Sequence, residues 1–283
     1  MNEIERRTLI GAAGIGAIAA LSKAGPINPP AGPVGSTGRT LDEVYNRIPA
    51  VGAGDGRAAI AGNTNYGVVL NAPGSYLLTG DVVDPLGNGI VIGASDITLD
   101  LNGFAVRSGS GSASGIALSP GLKRVVVRNG RVNGFQNGIL INAACQNVVL
   151  EDLLVTAARV TGIYLNSALG VRVRRCTVQD TGATTVASDS ISDITGIVLN
   201  SGASTVEDCT VNRLYYYGTG SATRRGIWAP DSPGNVIARC TIAHDGAITA
   251  TGIAIAGTNV YRDNTVVHFS TQYSGGFNGG GNT

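Results

Sequence analysis

A Gly-Ile pair returns along this chain at 89–90, 115–116, 138–139, 162–163, 196–197, 226–227 and 252–253, with spacings of 26, 23, 24, 34, 30 and 26 residues. Self-similarity at that period marks a stacked array, because one such unit is too small to bury an apolar face alone. Each pair opens a short alternating strand: GIVI, GIAL, GILI, GIYL, GIVL, GIWA and GIAI. A second patterned strand follows at VVVRNGRV (125–132), VVLEDLLV (148–155), VRVRRCTV (171–178), STVEDCTV (204–211), NVIARCTI (235–242) and NVYRDNTV (259–266). Apolar residues at period two face one side of a strand, and stacking copies about 4.8 Å apart buries them in one column. The repeat therefore predicts an all-β fold, a right-handed parallel β-helix of about eight rungs. A leucine-rich horseshoe lacks its helical half here, and a two-sheet sandwich would need hairpin turns between facing strands.

The columns support this register. Gly130, Leu153, Cys176, Cys209, Cys240 and Asn264 share one phase and are predicted to point inward. Just before them run Arg128, Glu151, Arg174, Glu207, Ala238 and Arg262, then Asn129, Asp152, Arg175, Asp208, Arg239 and Asp263, predicted to point outward. Their signs mostly alternate, so a slip of one rung would set like charges together. For the cysteine column the readings are a disulfide between adjacent rungs, whose strand spacing lies within the usual Cα range of about 4.4–6.8 Å, or a ladder of buried thiols. Cys145 falls in a turn, and no Cys/His spacing calls for a metal or another cofactor.

Charged residues are 14% of the chain and the formal net charge is +1, which leaves no basic field for nucleic acid. The first 24 residues read as an export signal. Glu5-Arg6-Arg7-Thr8-Leu9-Ile10 opens a mild apolar stretch that ends before Ser22-Lys23-Ala24, a candidate cleavage site. Paired arginines resemble a twin-arginine signal, and the stretch is short of the roughly 20 residues of a stable membrane span. Residues 25–39, with Pro26, Pro29, Pro30 and Pro33, read as a linker. The β-helix domain is placed at 40–283, opening with a capping helix. There Thr40 and Glu43 form a capping box, and Leu41, Val44 and Ile48 share the face that would cover the first rung.

The ERRTLIGAAG start, the AGPINPPAGPV linker, the LDEVYNRI cap, PGSYLLTGDV (73–82), ITLDLNGF (97–104) and the DCTV or DNTV rung endings together resemble the pectin-lyase-like right-handed β-helix superfamily. Within it, the chain is similar to exported bacterial β-helix repeat proteins. The resemblance implies a periplasmic or extracellular protein, and a polysaccharide or cell-surface glycan as partner. The superfamily spans lyases, hydrolases and non-catalytic scaffolds. Its Gly-His-Gly segment, Asn-Thr-Asp segment and calcium-binding Asp cluster have no counterpart here.

Two candidate surfaces remain. Asp180, Arg213, His244 and His268 share a phase just past the closing Val or Ile of their rungs. Asp180 would orient Arg213, whose charge suits an oxyanion or sugar carboxylate, and either histidine would carry a proton near neutral pH. The longest turns emerge there and add Asp189, Asp193, Tyr215, Tyr216, Tyr217 and Asp245; the alternative is a solvated edge whose polar groups brace those turns. On the Gly-Ile strands, Tyr164 and Trp228 face outward two rungs apart with Asn142, Asn166 and Asn200 beside them, a spacing that suits stacked sugar rings. The alternative is a tryptophan packed beneath the preceding tyrosine-rich turn. Carbohydrate binding or processing and a non-catalytic envelope scaffold are the two functions these features allow.

Overall fold

The structure is a computed structural model that describes residues 56–283, apart from 84, 86, 109–111, 183–192, 217–221 and 231–232. The predicted export signal, linker and capping helix lie outside the described residues, as do Asp189 and Tyr217. Every described element is a strand, and the strands pair in parallel at one-rung offsets. Each rung has three strands, not two. A representative rung runs Thr161–Leu169, Arg172–Arg174 and Thr177–Thr181, and each strand pairs with its equivalents one rung away on either side. The three resulting sheets are called third, first and second, in the order the chain meets them in that rung. The first sheet collects ten strands, from Ala58–Ile60 to Phe277–Asn278, and the other two collect nine each.

The extra sheet comes from a one-residue corner. Asn129, Asp152, Arg175, Asp208, Arg239 and Asp263 all have left-handed φ of 50° to 58°, so the second patterned strand bends there and feeds a different sheet. Asn and Asp tolerate this conformation because a short polar side chain can bond locally. The column predicted as outward strand is thus a corner. Its charges do pair across rungs: Arg175 holds Asp152 at 2.7 Å, and Arg239 holds Asp208 at 2.7 Å. Beside it, Arg128, Glu151, Arg174, Glu207, Ala238 and Arg262 stand in register as predicted.

Inside, like residues stack on like. Ile90, Ile116, Ile139, Ile163, Ile197, Ile227 and Ile253 form one fully buried ladder on the third sheet. Val106, Val132, Val155, Val178, Val211, Ile242 and Val266 form another on the second. Each such side chain contributes roughly 1.5–3 kcal/mol of burial. The glycine before each isoleucine is required by the narrowness of the coil. A Cβ on Gly162 would lie 2.3 Å from Val178 Cγ1 and 2.6 Å from the carbonyl oxygen of Gly196.

All four cysteines are free and buried, and Cys176, Cys209 and Cys240 stack between Leu153 and Asn264 as the register predicts. The Gly-rich residues 274–283 pair with the preceding rung. Phe277–Asn278 joins the first sheet, and the Thr283 amide donates to the Asn264 carbonyl at 2.8 Å.

Candidate functional site

The Asp180 phase is a second corner, between the second and third sheets. Asp180, Arg213 and His268 have φ of 57°, 54° and 66°. This geometry sets Arg213 directly on Asp180 one rung away. Its Nε donates to Oδ1 at 2.6 Å and its Nη2 to Oδ2 at 2.8 Å, a bidentate fork that raises the arginine pKa further. Two of Arg213's nitrogens and both Asp180 oxygens are thereby committed, so the pair is a local brace as well as a charge.

His244 departs from this pattern. Its chain does not turn but runs on as the 15-residue strand Thr241–Ile255. The imidazole is only 8% exposed, and its Nδ1 lies 2.9 Å from both the Gly246 carbonyl oxygen and Asp245 Oδ1, against 3.3 Å from the Gly246 amide. Two acceptors outweigh one longer donor, so Nδ1 carries the proton. Nε2 is buried and has no hydrogen-bond partner. Tyr215 meets the imidazole edge-on at 5.7 Å and donates its hydroxyl to Asp245 Oδ2 at 3.2 Å, so one carboxylate bridges phenol and imidazole. Partial burial and then that carboxylate raise the Tyr215 pKa. His268 is exposed and donates Nδ1–H to the His244 carbonyl at 2.6 Å. The cluster therefore consists of a braced Arg213–Asp180 pair and a Tyr215–Asp245–His244 relay. The carboxylate beside Nδ1 fixes the orientation of the imidazole, while Nε2 is kept from solvent.

The residues of the expected aromatic surface share one sheet. Tyr164, Val198 and Trp228 are in register on the third sheet, with Tyr164 and Trp228 partly exposed and Val198 buried. Asn166 and Asn200 pair directly beside them, while Asn142 donates its side-chain amide to the Leu118 carbonyl at 2.9 Å. Arg225 had no place in the sequence reading. Its guanidinium carbon sits 4.3 Å from the Trp228 ring centroid, and its Nη1 donates to Asp193 at 2.8 Å. The signal for it was present: Thr161, Thr195 and Thr251 fill its column in neighbouring rungs, so arginine there is the exception. Tyr216 packs against the core.

A shallow cavity of about 250 Å³, lined by Asn147, Val149, Gly170, Arg172, Ala203 and Thr205, opens between the third and first sheets, on a different corner from His244. Among the described residues no three His, Cys, Asp or Glu side chains converge as a metal site requires, and no helix is long and apolar enough to cross a membrane.

The family model described as "Right handed beta helix region" matches residues 57–196. No curated protein matches the sequence. Among solved structures, the full-length tailspike protein 2 of Escherichia coli O157:H7 bacteriophage CAB120 aligns with a TM-score of 0.52 at 15% identity, covering 79% of this chain and 35% of the tailspike. The chain thus spans about a third of that relative's length, and the likeness is one of fold. The Streptococcus pneumoniae surface protein and adhesin PfbA aligns at 10% identity over 86% of this chain and 94% of PfbA, with a TM-score of 0.27, too low to carry an argument. Three parallel sheets, a one-residue corner repeated rung by rung and the matching family model make this chain a right-handed parallel β-helix protein, as its pectin-lyase-like sequence features lead one to expect.

Proposed function

We propose that this protein is an exported, periplasmic or extracellular β-helix that binds polysaccharide or cell-surface glycan along the outward face of its third sheet. One observation carries the reading. Tyr164 and Trp228 are held in register two rungs, about 10 Å, apart with the Asn166–Asn200 pair alongside. Aromatic faces on a rigid sheet suit the apolar faces of sugar rings, and amides beside them suit sugar hydroxyls. Arg225 extends this patch and gives it a donor for hydroxyl or carboxylate groups.

A glycan array probed with the mature protein tests the reading. Binding that falls at least tenfold in Trp228→Ala, with the fold intact by circular dichroism, supports it. Absence of binding to any glycan overturns it in favour of a non-catalytic envelope scaffold.

A second reading rests on the Asp245–His244 contact. With Asp245 beside Nδ1, His244 can accept a proton on Nε2 during polysaccharide cleavage once substrate binding uncovers that buried nitrogen, while Arg213 steadies negative charge and His268 and Asp180 position the corner. A lyase and hydrolase screen checks it: activity lost in His244→Ala supports catalysis, and activity unchanged in that variant removes it.

A further inference from the structure

The cysteine column stands apart from both surfaces. Cys176, Cys209 and Cys240 occupy the same position of successive rungs, 1%, 2% and 1% exposed. Their backbones interlock, since the Thr210 and Thr241 amides donate to the Cys176 and Cys209 carbonyls at 2.9 Å. The three side chains also make the same contacts. Each sulfur lies 3.2–3.3 Å from the carbonyl two residues before it, and 3.7 Å from a carbonyl of the preceding rung: Leu150, Val173 and Val206. Equivalent contacts mean equivalent rotamers, so the sulfurs repeat at the strand spacing, about 4.8 Å.

That spacing decides between two chemistries. Residues directly in register on parallel strands have parallel Cα–Cβ bonds, so their Cβ atoms are also about 4.8 Å apart. A disulfide needs Cβ atoms about 3.5–4.5 Å apart, so the ladder is too wide for one even though the Cα separation fits. A metal–thiolate bond of about 2.3 Å, the zinc value, doubled across a linear centre gives about 4.6 Å. The rungs hold the sulfurs at almost that span. Zinc itself wants four ligands, and no three ligating side chains converge on one point among the described residues.

We propose that the column is a binding site for one soft d10 cation of linear, two-coordinate preference, held between Cys209 and one neighbouring sulfur. Binding is an exchange: two S–H bonds break, two metal–sulfur bonds form, and two protons leave. A divalent ion with two thiolates is neutral, which a dry core favours, whereas a monovalent ion would bury a net negative charge.

Mercury(II) is the probe, added at one equivalent to the reduced full-length chain during refolding, so that ion entry does not depend on opening of the finished coil. The background is Cys145→Ala, which removes the thiol outside the column. Native mass spectrometry after gel filtration is expected to show one ion retained with loss of two protons, together with a thiolate charge-transfer band. In that background Cys176→Ala and Cys240→Ala each keep one ion, because Cys209 retains a neighbour. Cys209→Ala loses it, since the remaining sulfurs are two rungs, about 9.6 Å, apart. A parent that retains no ion, or a folded Cys209→Ala that retains it as the parent does, overturns the proposal.

Discussion

Replacing Gly196 by alanine tests why glycine opens each rung. A Cβ there would sit 2.4 Å from Val211 Cγ1 and 2.6 Å from the Gly226 carbonyl oxygen. Ordinary contact begins at 3.4 Å, so Val211 would have to retreat by about 1 Å (3.4 minus 2.4). It has nowhere to go: Val178 and Ile242 flank it in the column, both fully buried, and the carbonyl belongs to the next rung. Overpacking of this kind costs about 1–3 kcal/mol, and the upper end applies because one of the clashing atoms is backbone. The smaller chain entropy lost by alanine returns about 0.5–1 kcal/mol. The net is a loss of about 2 kcal/mol, roughly a thirtyfold fall in the folded-to-unfolded ratio. Gly246→Ala is the control, because a Cβ there meets nothing within 4 Å and its φ is not left-handed. Urea unfolding of both variants at matched m value reads the difference. Unfolding free energies that agree within about 0.5 kcal/mol would refute the packing argument.

Three further outcomes are expected. Asn264 is fully buried, accepts from the Cys240 amide at 2.9 Å and donates to the Ile237 carbonyl at 3.0 Å; Asn264→Leu strands both groups and should cost about 2–4 kcal/mol in the same unfolding assay. Hydrogen bonds from Arg124, Arg175 and Arg239 hold Asp96, Asp152 and Asp208 below the usual carboxylate pKa. Their contribution is therefore complete above the unfolded value of about 4 and is lost as pH falls through the lower folded values, so thermal unfolding followed from pH 6 downward should show stability declining below about pH 4, less steeply in high salt. Asp180→Asn removes the fork to Arg213, but both side chains are substantially exposed, at 27% and 38%, so the loss of stability should stay under about 1 kcal/mol by urea titration.

The repeat was legible because its cause is local: only glycine fits where the third sheet meets the valine ladder, so the Gly-Ile pair recurs wherever the coil closes. The corner between the first and second sheets was not, because it uses a single residue. Asn129, Asp152, Asp208 and Asp263 are types that accept a left-handed φ, but Arg175 and Arg239 in the same column hid the pattern behind an alternation of charge. The first rung lacks isoleucine after its glycine, yet Val68 pairs with Ile90 as the frame requires. At the candidate site, phase alone put Asp180 beside Arg213. It did not anticipate that the strand would run on through His244, which is what draws Asp245 and Tyr215 onto the imidazole. Arg225 over Trp228 depends on side-chain reach between columns, which periodicity does not encode.

Sulfur anomalous diffraction from crystals of the native chain tests the central claim, that residues sharing a phase in the Gly-Ile frame are stacked neighbours. Three peaks in a line, about 4.8 Å apart, at Cys176, Cys209 and Cys240 are predicted. Peaks separated by more than about 10 Å, the span of two rungs, would contradict the fold and every site built on it.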